Sequence, residues 1–214
     1  AASDVYKRQV YLHGLGQTPA SWESVLRVLG QESGGLCPDL FGLIRGKEVC
    51  YENLYQAFSR YCGALPAPLT LCGLSLGGVL ALQYGIEHSD RVGALVLIGT
   101  QFVMPKGLLR LQNAMFRLMP GSMFSASGLS KADTMRLSRS MMALDFRGCL
   151  ARLRCPVLAV CGTGDHANQK AARQLCRLVP QGELALIPGA GHEVNTDAPE
   201  ALAEVLVRFL RPLP

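Results

Sequence analysis

An apolar run, Leu69-Thr70-Leu71-Cys72, leads into Gly73-Leu74-Ser75-Leu76-Gly77 and then into Gly78-Val79-Leu80-Ala81-Leu82-Gln83-Tyr84. Read in order, these are a strand, a tight turn and a helix. A strand and a helix joined by so short a turn must lie against each other. The glycines allow the strained turn and the close approach. A serine on such a turn projects its hydroxyl clear of the sheet, with a helix N-terminus behind it. The segment therefore demands a sheet covered by helices.

The rest of the chain repeats the same alternation. Val10-Tyr11-Leu12 is a buried strand ending in the turn His13-Gly14-Leu15-Gly16. A helix is predicted from Ala20 to Leu29, with Trp22, Val25, Leu26 and Leu29 on one face. Leu36 to Leu40 reads as a short edge strand and Glu48 to Cys62 as a helix. Val92 to Ile98 is a continuous apolar run, as expected of a parallel strand buried on both faces. Further on come a strand at Val157, a helix over Ala171–Leu178, a strand at Leu184 and a final helix over Glu200–Leu210. The fold class is α/β: a doubly wound, mostly parallel sheet with helices on both faces. At 214 residues and 49% hydrophobic content, one well-filled core is expected.

A serine hydroxyl is a poor nucleophile until a base takes its proton. The chain has four histidines, at 13, 88, 166 and 192. His192 follows the strand Leu184–Ile187 and the loop Pro188-Gly189-Ala190-Gly191, so it stands just past a strand end. The strand Val157–Cys161 likewise runs into Gly162-Thr163-Gly164-Asp165. Ser75, Asp165 and His192 thus occupy three strand ends, in the chain order expected when the serine sits on a strand-to-helix elbow. Asp165 also suits a helix N-cap, a role compatible with orienting a histidine. His13 reads as a brace for its glycine turn, and His88 and His166 as exposed.

On His13-Gly14, the Ser75 elbow, Gly164-Asp165 and Gly191-His192, the chain resembles the α/β-hydrolase fold family from Val10 to about Leu210. The resemblance implies Ser75 as nucleophile, His192 as general base and acid, and Asp165 as the residue that orients it. It implies backbone amides of Leu15 and Leu76 as the oxyanion hole, no metal and no organic cofactor. The expected activity is hydrolysis of carboxylic esters or thioesters through an acyl-enzyme, on a small-molecule acyl substrate. Within the same family, a synthase of the menaquinone-synthesis kind is the enzymatic alternative. A hydrolase-like ligand receptor and an inactive fragment are the non-enzymatic ones. The family also places a cap or lid between its core strands, here residues 101–154. The core is then 10–100 and 155–214.

That insertion differs in composition from its surroundings. All seven methionines fall in it: Met104, Met115, Met119, Met123, Met135, Met141 and Met142. Methionine is flexible and polarisable and suits an adaptable apolar pocket, for which Met115, Met119, Met142 and Phe116 are the candidates. The alternative is a small helical core with Leu108, Leu111, Met115 and Met119 as its stripe. Residues 101–150 also carry seven basic against two acidic side chains, an excess equal to the net charge of the whole chain, +5. Solvated helix faces account for such a charge. So does attraction of anionic substrates or a membrane surface.

Other classes are disfavoured. The basic residues are not interleaved with exposed aromatics, against nucleic-acid binding. No apolar stretch reaches the ~18 residues of a membrane span, against a stable membrane anchor. The eight cysteines form no C-x-x-C pair and no metal-ligand spacing with histidine, and are expected reduced in a cytoplasm. Residues 1–9, Ala1-Ala2-Ser3-Asp4-Val5-Tyr6-Lys7-Arg8-Gln9, match the translation of a common transposase sequencing adapter and are set aside as a scar. On that reading the chain is a metagenomic fragment without the N-terminal hairpin that the family pairs with its sheet. Its sheet edge is then open.

Overall fold

The computed structural model describes residues 9–30 and 34–211, with 125–127 described by their backbone alone. Of the suspected scar, residues 1–8 lie outside the described residues; Gln9 is the first residue of a strand. The elements, in chain order, begin with β1 (Gln9–Leu12), α1 (Glu23–Val28), α2 (Tyr51–Gly63), β2 (Leu69–Leu74) and α3 (Leu76–Glu87). They continue with β3 (Val92–Ile98), α4 (Lys106–Leu118), α5 (Lys131–Ser140), β4 (Val157–Gly162), α6 (His166–Leu178), β5 (Gly182–Ile187), α7 (Val194–Asp197) and α8 (Pro199–Leu210).

The strands pair side by side in the order β1-β2-β3-β4-β5, and every pairing is parallel. Parallel strands need crossovers, and the crossovers cover both faces. Val10, Leu12, Leu71, Leu95, Leu97 and Ala159 pack on one side with α2, α3 and α6. Tyr11, Cys72, Val96, Ile98 and Val160 pack on the other with Trp22, α1 and α8. Two separate cores result, one on each face, which is why the strands read as unbroken apolar runs.

Several predicted boundaries shift. The helix expected from Ala20 is a 3₁₀ turn over Pro19–Trp22 followed by α1. The helix expected from Glu48 starts at Tyr51, because Cys50 is extended. The helix expected over Ala171–Leu178 already begins at His166. The strand expected over Leu36–Leu40 is a single parallel bridge, Val10 to Leu36. Pro38 has no N–H to extend that ladder. The bridge still matters for topology. From β1 the chain steps out to Leu36 on one side and crosses back to β2 on the other. The carboxyl ends of strands at such a reversal frame a crevice.

Between β3 and β4, residues 101–154 form α4, α5 and short 3₁₀ turns. Their neck is closed by an antiparallel bridge, Val103 to Asp145. Lys131 Nζ at the start of α5 donates to the carbonyls of Arg117 (2.6 Å) and Met119 (2.8 Å). This cation satisfies the free C-terminal carbonyls of α4. Among the described residues, no helix is long and apolar enough to cross a membrane.

Candidate functional site

Ser75 has φ 51° and ψ −111°, and among the described residues it is the one non-glycine residue with positive φ. That conformation is strained for a side chain and persists only where its surroundings impose it. The imposing contacts are visible. Ser75 N donates to Ile98 O (2.8 Å), and Val79 N donates to Ser75 O (3.0 Å), starting α3. A Cβ on Gly73 would strike the backbone of Gly77. One on Gly77 would strike Leu12, and one on Gly78 the hydroxyl of Thr100. The glycines of the motif are thus demanded by packing of α3 on β1, β2 and β3.

His192 and Asp165 meet across two loops. His192 Nδ1 donates to Asp165 Oδ2 at 2.7 Å. The Asp165 side chain is 6% exposed and that of His192 42%. Asp165 occupies the N-cap position of α6 but does not cap the helix with its side chain. Its carboxylate is taken up by His192 and by Asn168, whose Nδ2 donates to Oδ1 (2.9 Å) and Oδ2 (2.8 Å). Burial pushes the Asp165 carboxyl up, yet the hydrogen bonds from His192 and Asn168 and the His192 charge outweigh it. The net result lies below the ordinary carboxylate value. The His192 imidazole is raised, first by its hydrogen bond to Asp165, against the opposing effect of burial. The loop carrying His192 is held by Gly191 N donating to Asp197 Oδ2 (2.8 Å).

Ser75, Asp165 and His192 line one cavity of about 610 Å³. No direct hydrogen bond joins Ser75 to His192; the contacts of His192 lie at Nδ1, which leaves Nε2 without a partner among the described residues. Such contacts commonly tighten only with substrate in place. Leu15 and Leu76 border the cavity beside Ser75, and Leu76 opens α3, where N–H groups lack helical acceptors. His13 lies outside the cavity wall and is fully buried. Its Nε2 accepts from Leu40 N (3.2 Å), so Nδ1 carries the hydrogen and donates to Gly14 O (3.0 Å). Burial lowers its pKa, and the ring is a neutral brace for the glycine turn.

The insertion supplies the rest of the wall. Met115, Met119 and Phe116 line the cavity; Met142 does not, and its neighbour Met141 does. Met141 is buried, at the 3₁₀ turn that follows α5, and the adjacent position points elsewhere. The predicted stripe on α4 is not a helical core. Leu108, Leu111 and Met115 are 46%, 60% and 57% exposed and all border the cavity. Among the described residues that line the cavity none is Lys or Arg, so the positive charge of the insertion sits off the cavity wall. Arg147 pairs with Asp145 and Arg136 with Asp133.

Residues that sequence reading missed are the amides. Gln17 and Asn195 are both buried and bind each other twice, Gln17 Nε2 to Asn195 Oδ1 (3.1 Å) and Asn195 Nδ2 to Gln17 Oε1 (3.2 Å). Gln17 Oε1 also accepts from Gly14 N (3.3 Å). The pair ties the turn after β1 to the helix just after His192. A polar residue three or four positions past each motif was the available signal, and it is a weak one.

Burial pushes the Cys62 and Cys161 thiols up to about 12, which leaves them poor nucleophiles. All eight cysteines are free. No group of three or more metal-ligating side chains occurs among the described residues.

A sequence profile of the alpha/beta hydrolase family matches residues 9–205. The chain belongs to the alpha/beta hydrolase family. It is 26% identical to the pimeloyl-[acyl-carrier protein] methyl ester esterase of Aromatoleum aromaticum, over 94% of this chain and 97% of that one. It is also 26% identical to the biotin biosynthesis bifunctional protein BioHC of Teredinibacter turnerae. That match covers 94% of this chain but 44% of the relative, so the chain spans less than half of that protein. Among solved structures, the esterase EaEST of Exiguobacterium antarcticum superimposes with a TM-score of 0.77 at 18% identity, covering 95% and 91% of the two chains. That likeness concerns the fold.

Proposed function

We propose that this family member is a serine hydrolase that cleaves carboxylic esters or thioesters through an acyl-enzyme. One observation carries the reading. Ser75, held at positive φ between β2 and α3, shares a cavity with an imidazole whose other nitrogen is bonded to a buried carboxylate. Ser75 Oγ attacks the acyl carbon while His192 Nε2 takes its proton. The oxyanion that forms rests on the amides of Leu15 and Leu76. His192 then passes the proton to the departing alcohol or thiol. A water, deprotonated by the same nitrogen, releases the acid. Asp165 keeps the hydrogen on Nδ1 and stabilises the imidazolium. The reading calls for no metal and no organic cofactor. The substrate is a small acyl compound, the insertion over 101–154 acts as a lid carrying the acyl-chain wall, and the eight free cysteines fit a cytoplasmic setting.

The test is a fluorophosphonate probe beside p-nitrophenyl esters of graded chain length. Ser75 is expected to be the single labelled residue, and Ser75→Ala to lose both labelling and turnover. Intact labelling of Ser75→Ala overturns the assignment.

A further inference from the structure

The wall that α5 gives the cavity is not uniformly apolar. Thr134 and Ser138 stand one helical turn apart, border the cavity, and are 3% and 1% exposed. Buried hydroxyls are normally fully hydrogen-bonded. Thr134 Oγ1 donates to Ser130 O at 3.0 Å. Ser138 is different. Its Oγ accepts from Asn113 Nδ2 at 2.9 Å. The orientation of that amide is fixed, because Nδ2 also donates to the carbonyl of Leu109 (2.8 Å), which can only accept. Ser138 is thereby made an acceptor toward α4, and its own O–H finds no acceptor among the described residues. Asn113 Oδ1 is buried and has no partner either. An apolar pair would be cheaper at this helix contact.

We propose that Ser138 is a recognition point for a neutral oxygen carried part-way along an otherwise apolar acyl chain. An ether, ketone, ester or hydroxyl oxygen would accept the Ser138 hydrogen. The site is built for a neutral group: among the described residues no Lys or Arg lines the cavity, while Asp165 and Glu193 do. A carboxylate there would lack a counter-charge. The leucine, methionine and phenylalanine side chains of the remaining wall, interrupted by Gln101 and Gln112, take the hydrocarbon. This inference rests on the acyl-hydrolase reading above and names the acyl group it serves.

The experiment compares p-nitrophenyl esters of one chain length, plain alkyl against a series in which a single ether oxygen replaces each methylene in turn. Rates are corrected for uncatalysed hydrolysis. Wild type is expected to favour one oxygen position by about fivefold in kcat/KM, chiefly through KM, as one neutral hydrogen bond allows. Ser138→Ala should erase that peak, so that every ether ester falls to the rate of the plain alkyl ester measured in the same variant. Ser138→Thr, which keeps the hydroxyl, should retain it. A flat wild-type profile overturns the proposal without any variant, and so does a peak that survives in a folded Ser138→Ala. Turnover of plain esters with no peak sinks this inference alone. No turnover of any ester, with no labelling of Ser75, sinks the hydrolase reading and this inference with it.

Discussion

Asn168 Nδ2 grips both oxygens of Asp165, at 2.9 and 2.8 Å, and stands 3.2 Å from His192 Nδ1. Asn168 is itself held by Gln101 Nε2, which donates to its Oδ1 at 2.7 Å. Gln101 is the first residue of the insertion. The orientation of the carboxylate that faces His192 is therefore set from α6 and from the insertion's entry together.

Asn168→Ala removes hydrogen bonds that lower the Asp165 pKa. The freed carboxylate holds the His192 proton more strongly, so the acid limb of the pH–rate profile is expected to move up. Activity at neutral pH should fall about tenfold, the scale of one hydrogen bond to a charged group. An unmoved limb in a folded variant counts against this arrangement.

The wild-type acid limb is expected above 6.5, the ordinary histidine value, because the Asp165 hydrogen bond raises His192. The buried carboxylate at 2.7 Å is the reason. Asp165→Asn should bring the limb down and lower kcat. His192→Ala should lose more, since the base moves protons and the acid orients it. The sign for stability follows from linkage. A raised histidine stabilises the fold fully below 6.5, and that contribution fades as pH climbs through the raised value. The lowered Asp165 contributes above the ordinary 3.8, and its share is lost as pH falls through its folded value. Thermal midpoints across pH 3–9, wild type against Asp165→Asn, check both signs.

Gly99 has φ +54°, and a Cβ there would lie 3.0 Å from both Cε1 and Nδ1 of His192. Gly99→Ala is expected to tilt the imidazole off Asp165. A misplacement on the order of 1 Å costs up to about a hundredfold in kcat, while the left-handed backbone costs about 1–2 kcal/mol of stability. Kinetics beside a thermal midpoint measure both. Unchanged kcat would place the ring elsewhere.

The methionines separate into two kinds. Met115 is 57% exposed on the cavity, whereas Met135 is 9% exposed and off it. Met115→Ala should shift the preferred acyl length with little change in thermal midpoint. Met135→Ala should cost about 2–5 kcal/mol and slow every ester alike. Chain-length profiles with melting curves distinguish them, and uniform losses from both would reject the division.

The parallel sheet, the elbow at Ser75 and the strand-end positions of Asp165 and His192 were legible in the sequence. Each depends on a short-range pattern: apolar runs that must be covered on both faces, and glycines where two backbones meet. The insertion was legible chiefly as composition. A stripe at Leu108, Leu111, Met115 and Met119 marks one helix face, but nothing local says whether that face meets a core or a cavity. Only the packing of α4 and α5 sent Met141 to the cavity instead of Met142 and placed the basic residues off its wall. The buried amides were invisible for a related reason. Gln17 and Asn195 are 178 positions apart, and nothing local marks either as the other's partner. Hydrogen bonds between distant loops exist only once the sheet has brought the strand ends together. The chain thus specified by itself which groups stand at the strand ends, and tertiary structure decided how they are held.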